Sequence, residues 1–432
     1  MFFLHILRLF DGDFSSWADG ISILIEPVLS LPKNDSLIIN SRVYFRLLTS
    51  TMEYLVMLPG PTNVPNRVMN AMLAPIINHR SQDFRILYKS LVEKIKKTFQ
   101  TSNDIILLTT SGTGAVEASV VNLIKKGDKA IVPVSGEFGS RLADLIDSWG
   151  GKAIRVPSPY GENPPYEKIE EAFDQNKDIK AIYAVYNETS TGTTIRYMDK
   201  LGKLCSKNGT FFVADAVSIL GGDELPVDKW NIDICVTASQ KALAAPPGVS
   251  PIAISERTKK YIQSNPPSIL YLNLKRYFKY YEENFETPFT PALPLFYAFN
   301  EALDIVLEEG LDKRILRHKL CAEAFYSGLS ALGLPPFARE DARSHVVIAA
   351  KYIDGMDDKK FRALMSNEFR VLIAGGFGDL KGKVFRIGSM GEVNKYHVTR
   401  TLSSIISSMN LLGLKVDEDA SSAALEKTAK IF

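Results

Sequence analysis

Lys241 is the residue whose type and position say most about chemistry. It follows the apolar run from Ile232 to Ala238, which reads as a buried parallel strand, and then Ser239-Gln240. A lysine just past the carboxyl end of such a strand points its amine into the crevice where open α/β sheets bind ligands. Upstream, Thr210 to Ala214 reads as another buried strand and delivers Asp215 to the same edge. One amine and one carboxylate facing a single crevice are the minimum set for holding pyridoxal phosphate: the amine condenses with the aldehyde, and the acid keeps the pyridine nitrogen protonated. A buried salt bridge, or an aspartate capping the next helix, is the plainer reading of the same pair.

Three further polar loops each follow a predicted strand. Ser111-Gly112-Thr113-Gly114 precedes a helix, where small residues and the helix dipole favour a phosphate; a simple capped turn explains it equally well. Gly136-Glu137-Phe138-Gly139 sets an aromatic ring between glycines, either flat against a planar ligand or packed under a loop. Asn187 to Gly192 offers hydroxyls and an amide, or is a turn rich in capping residues. Together with the Asp215 and Lys241 loops these make five at one sheet edge, a coincidence harder to explain as caps than any single one. Arg386 lies in the apolar pattern Val384 to Gly388, where an arginine needs an anionic partner. A substrate carboxylate and an internal acid are equal candidates. His79-Arg80-Ser81 is a polar cluster to which no catalytic role is assigned.

The elements that position these residues alternate. Strands are predicted at 104–108, 130–134, 153–156, 181–186, 210–214, 232–238 and 250–254, with helices at 114–124, 141–149, 166–174 and 198–208 between them. That alternation implies α/β architecture, a mostly parallel sheet covered on both faces. Helices at 67–73 and 84–99 precede it. Beyond about residue 289 the pattern turns α+β: helices at 295–309, 312–332 and 359–369, and strands at 346–350 and 384–387. The expected organisation is an N-terminal extension over 1–56, a large domain over 57–290, a smaller one over 291–415, and a polar helical tail over 416–432. Residues 1–51 show no periodicity that joins the sheet and are expected to be dispensable, although the apolar stretch Phe2 to Leu9 also suits a short packing arm.

The chain has 432 residues, 46% hydrophobic and 23% charged, with a formal net charge of +2. That balance gives no electrostatic case for a nucleic-acid or membrane partner. The three cysteines, Cys205, Cys235 and Cys321, have no metal-ligand spacing and are too few for a disulfide framework, so no metal and a cytoplasmic location are expected.

In order along the chain, Pro59-Gly60-Pro61, Asn78 to Ser81, Ser111 to Gly114, Glu188 to Gly192, Asp215, Ser239-Gln240-Lys241, Pro246-Pro247-Gly248 and Arg386-Ile387-Gly388 resemble a class V aminotransferase, most closely the alanine–glyoxylate and serine–pyruvate group. The resemblance spans roughly 57–415. It implies a fold-type I enzyme with pyridoxal 5'-phosphate, acting as a homodimer with active sites at the subunit interface. It places the imine on Lys241 and the ring-nitrogen partner on Asp215. Ser111, Gly112, Thr113 and Gln240 would hold the phosphate. Phe138 and Val217 would flank the ring, and Thr189 would contact its phenolic oxygen. Arg386, with Gly60 nearby, would bind the α-carboxylate, and Thr290 would reach the other subunit's phosphate. Some relatives carry a tyrosine where this chain has Thr287, and Trp is frequent where Phe138 stands.

The expected reaction is amino transfer from a small amino acid, alanine or serine, to a small keto acid, glyoxylate or pyruvate. A related lyase or cysteine desulfurase is the nearest alternative, but none of the three cysteines falls on a predicted loop. A non-catalytic scaffold of the same fold is expected to lose Lys241, Asp215 or Arg386, and all three are present.

Overall fold

Strand register does most of the work of placing the site. A computed structural model describes residues 53–414, 416 and 418–432, so the expectations for residues 1–52 lie outside the described residues. In chain order the strands are β1 (Leu55–Val56), β2 (Asp104–Leu108), β3 (Lys129–Val134), β4 (Lys152–Pro157), β5 (Ile179–Val185), β6 (Asn187–Glu188) and β7 (Thr193–Thr194). They continue as β8 (Phe211–Asp215), β9 (Ile234–Val236), β10 (Ser250–Ile254), β11 (Val347–Lys351), β12 (Val371–Leu372), β13 (Ala374–Gly375) and β14 (Val384–Gly388).

Seven strands form one sheet in the order β2-β10-β9-β8-β5-β3-β4. Every pairing is parallel except those of β10, which runs antiparallel to both β2 and β9. The carboxyl ends of β2, β3, β5, β8 and β9 therefore share one edge, and all five polar loops leave from it. The inner strands are near-continuous apolar runs because helices cover both faces.

The helices follow from apolar periodicity and caps. In Gln82–Phe99, Ser81 caps the amino end by accepting from the Phe84 amide at 3.4 Å, and Gln100 ends the helix in the left-handed region at φ 52°. Its buried face, which includes Phe84, Tyr88, Leu91 and Ile95, meets Phe296 of helix Leu293–Glu309.

Residues Tyr54–Phe432 form one compact unit with two hydrophobic cores. The first lies on the seven-stranded sheet and includes helix Leu293–Glu309 through Phe296, Phe299 and Leu303. The second gathers helices Leu311–Ala331, Asp358–Asn367 and Lys395–Leu411 on the antiparallel sheet β11-β14-β13. The expected tail is helix Glu418–Ala429, and its Ala424 is buried in this second core. Among the described residues no helix is long and apolar enough to cross a membrane, and no cluster of His, Cys, Asp and Glu is arranged for a metal.

Candidate active site

β8 ends on Asp215, and β9 lies beside it in register, Asp215 opposite Val236. From β9 the chain enters the turn that carries Lys241. Ser239 closes that turn: its hydroxyl donates to the Pro246 carbonyl at 2.6 Å and accepts from the Val249 amide at 3.4 Å. Thr62 donates to the Lys241 carbonyl at 3.3 Å, and the buried Arg314 donates to the Ala242 carbonyl at 2.9 Å. Segments from three parts of the chain thus hold the lysine's backbone still.

The Lys241 amine donates to the Pro59 carbonyl at 2.6 Å. Its pKa is pulled down to about 8, first by burial and then by the positive charge of Arg386, with Asp215 acting in the opposite sense. Gly60, at φ 104°, sits directly over this side chain: a Cβ there would lie 2.5 Å from Nζ. Asp215 accepts from the Val217 amide at 2.9 Å, and burial pushes its carboxyl up to about 6, with the nearby Glu188 adding to the rise. The plain salt-bridge reading of this pair is not what the geometry gives, since neither group is ion-paired among the described residues and each leans on backbone instead.

Ser111 caps helix Gly112–Leu123, accepting from the Gly114 amide at 3.4 Å. The helix starts two residues earlier than its periodicity predicts, so Gly112 and Thr113 occupy the first turn, Thr113 exposed. A Cβ on Gly112 would lie 2.8 Å from Val217, so this glycine lets the helix start press against the residue beside Asp215. The side-chain Oε1 of Gln240 is buried without a hydrogen-bond partner among the described residues. A glycine-built helix start near an amine and an acid suits a phosphorylated pyridine aldehyde.

Phe138 lies in the first turn of helix Glu137–Ser148, not in a loop, and its ring stacks with Phe377 at 6.1 Å under the Arg141 guanidinium. Thr189 is buried in the β6–β7 hairpin. Arg386, midway along β14, makes no ion pair among the described residues, so the internal-acid alternative finds no partner there. Its Nε donates to the Gly375 carbonyl at 2.9 Å and its Nη1 to the Thr189 carbonyl at 3.0 Å. Its charge is therefore uncompensated by any internal acid in contact. Thr290 is exposed and makes no hydrogen bond with this group among the described residues. A separate cavity of about 590 Å³, lined by Arg196, Tyr326, Arg343 and His345 among others, holds none of these residues.

Residue types placed Gly136 and Glu188 within polar loops but gave Glu188 no role of its own, and they did not single out Arg314. The signal for Glu188 is a carboxylate two residues past the apolar run from Ala181 to Tyr186; for Arg314 the sequence offers none, because its Ala242 and Glu392 partners lie far away in the chain.

Residues 57–376 match the family model described as aminotransferase class-V. The chain belongs to this family. It is 44% identical over 377 residues to an uncharacterised aminotransferase of Methanocaldococcus jannaschii, covering 87% of this chain and 98% of that protein. It is 33% identical to the serine–glyoxylate aminotransferase of Methylorubrum extorquens, over 85% of this chain and 93% of that one. The crystal structure of the ureidoglycine–glyoxylate aminotransferase of Bacillus subtilis superposes with a TM-score of 0.83 at 28% identity, covering 88% of this chain and 98% of that one. The architecture is that of the fold-type I enzymes, and the chain is an aminotransferase.

Proposed function

We propose that this aminotransferase moves the amino group of a small amino acid, alanine or serine, to glyoxylate or pyruvate, with pyridoxal 5'-phosphate held between Lys241 and Asp215. The observation that carries this reading is the half-buried amine of Lys241, lowered to about 8, at one sheet edge with Asp215 and an arginine that has no acidic partner in contact among the described residues. When bound, the cofactor supplies an aldehyde for the amino group and a cationic ring that withdraws electrons from the substrate α-carbon. Lys241 Nζ, which sheds its proton more readily than an ordinary lysine, takes the α-proton and later returns it. Asp215 keeps the ring nitrogen protonated. The helix start at Ser111, Gly112 and Thr113, with Gln240, holds the phosphate; Phe138 and Val217 flank the ring, and Thr189 contacts its phenolic oxygen.

Arg386 grips the substrate α-carboxylate, with Gly60 leaving room above Lys241. Glyoxylate is common to the names of two of the relatives compared above, which supports it as acceptor. A homodimer in which Thr290 reaches the neighbouring site, and a cytoplasmic location, complete the proposal; the three free, buried cysteines are in keeping with a reducing compartment. The same burial pushes up the thiols of Cys205, Cys235 and Cys321, which leaves no reactive thiol for sulfur transfer. The test is to incubate the holoenzyme with serine or alanine plus glyoxylate and measure glycine. Wild type should form it and Lys241→Ala should not; glycine formation by that variant above the free-cofactor background would overturn the assignment.

A further inference from the structure

Helix Glu137–Ser148 begins without a cap of its own. Gly136 stands at its amino end and offers no side chain, so the first amides need acceptors from elsewhere. They find them in the β6–β7 hairpin, about fifty residues along the chain. The Ser190 hydroxyl accepts from the Glu137 amide at 3.1 Å. The Glu188 carboxylate accepts from the Phe138 amide at 3.0 Å and the Gly139 amide at 2.9 Å. The same carboxylate also accepts from the amide and the hydroxyl of Ser190. Glu188 is 2% exposed, and every one of these contacts asks it to accept. The approach is tight enough to need glycine opposite: a Cβ on Gly136 would lie 2.4 Å from the Ser190 hydroxyl and 2.7 Å from Glu188 Cγ.

What this clamp joins matters more than that it joins. On its helix side is Phe138, whose amide it holds. On its hairpin side the next residue is Thr189, and the Thr189 carbonyl receives Arg386 at 3.0 Å. Burial raises the Glu188 carboxyl, and its hydrogen bonds oppose that rise; its charge also acts on both Asp215 and Arg386. We propose that Glu188 is a positioning residue of the active site, whose buried carboxylate locks the Phe138 helix start to the Thr189 hairpin and so fixes the ring-facing aromatic, the hydroxyl and the substrate arginine in one register. This rests on the cofactor reading given above.

Glu188→Gln tests it with almost no change in shape, because the amide turns one acceptor into a donor facing other donors. The measurement is titration of the cofactor-free protein with pyridoxal 5'-phosphate for wild type, Glu188→Gln, Phe138→Ala and the double variant, with the visible circular dichroism of each saturated protein. Glu188→Gln is expected to weaken binding about tenfold, as for one lost charge-assisted hydrogen bond, and to diminish the dichroism. If Glu188 acts through Phe138, the double variant binds no worse than the weaker single one. Ser190→Ala, which removes part of the clamp and keeps the acid, should shift both readings in the same direction by less, and it serves if Glu188→Gln does not fold. Wild-type binding and dichroism in Glu188→Gln, or losses that multiply in the double variant, overturn the clamp. Failure of wild type itself to bind the cofactor overturns the cofactor reading, and the clamp's purpose with it.

Discussion

Lys241 sits where its proton is easily lost. Burial and the Arg386 charge hold its pKa near 8, while Asp215 opposes them. Only the neutral amine attacks an aldehyde, so below about 8 the reactive fraction falls and above it saturates. The rate at which cofactor-free protein captures pyridoxal 5'-phosphate should therefore rise with pH and level off above about 8; stopped-flow absorbance reads this directly, and a rate that rises only near the ordinary lysine range would mean the amine is not perturbed. Arg386 makes a second prediction at this scale. With only carbonyl partners among the described residues, its remaining affinity is for an anion from outside. Arg386→Ala should raise KM for alanine or serine by an amount corresponding to about 2–5 kcal/mol, with cofactor affinity retained. An unchanged KM would move the carboxylate site elsewhere.

At the scale of elements, the glycine that opens helix Gly112–Leu123 is pressed closely against Val217. Gly112→Ala puts a methyl 2.8 Å and 2.9 Å from the two Val217 methyls, so helix start or valine must move. Stability should fall by about 1–3 kcal/mol, and the affinity for pyridoxal 5'-phosphate with it. Thermal denaturation and cofactor titration read the two effects, and a wild-type value in both would show that the contact yields freely. The sheet strands were legible because each is a short apolar run bounded by turn residues; β2 and β10 were read with their full spans, Asp104–Leu108 and Ser250–Ile254. Helix Lys395–Leu411 was not legible, and its residues explain why. Thr401, Ser404 and Ser408 are buried on it, and the first two satisfy their hydroxyls on the His397 and Arg400 carbonyls one turn back, so its inward face does not read as apolar. The early start of helix Glu137–Ser148 was hidden for a different reason: its cap comes from Glu188 and Ser190, and no local pattern encodes a partner so distant. β1 and β12, a two-residue parallel pair between the ends of the fold, were equally invisible.

At the scale of the whole molecule, the site draws on both cores. Lys241 and Asp215 come from the sheet of the first, and Arg386 from β14 of the second. The buried Arg314, on the helix that opens the second core, reaches back to the Ala242 carbonyl next to the lysine and also pairs with Glu309 and Glu392. The residues of the candidate site were readable as types at strand ends; what joins them, from Pro59 under the amine to Thr189 under the arginine, needed the fold. The central claim is that amino transfer occurs in two separable halves at this one site. The measurement is product stoichiometry from the purified holoenzyme given alanine or serine alone, then glyoxylate. The account predicts one equivalent of keto acid per site and no more from the amino acid alone, followed by one equivalent of glycine when glyoxylate is added. Continuous release of keto acid and ammonia from the amino acid alone, with no glycine on adding glyoxylate, would contradict it and identify a lyase.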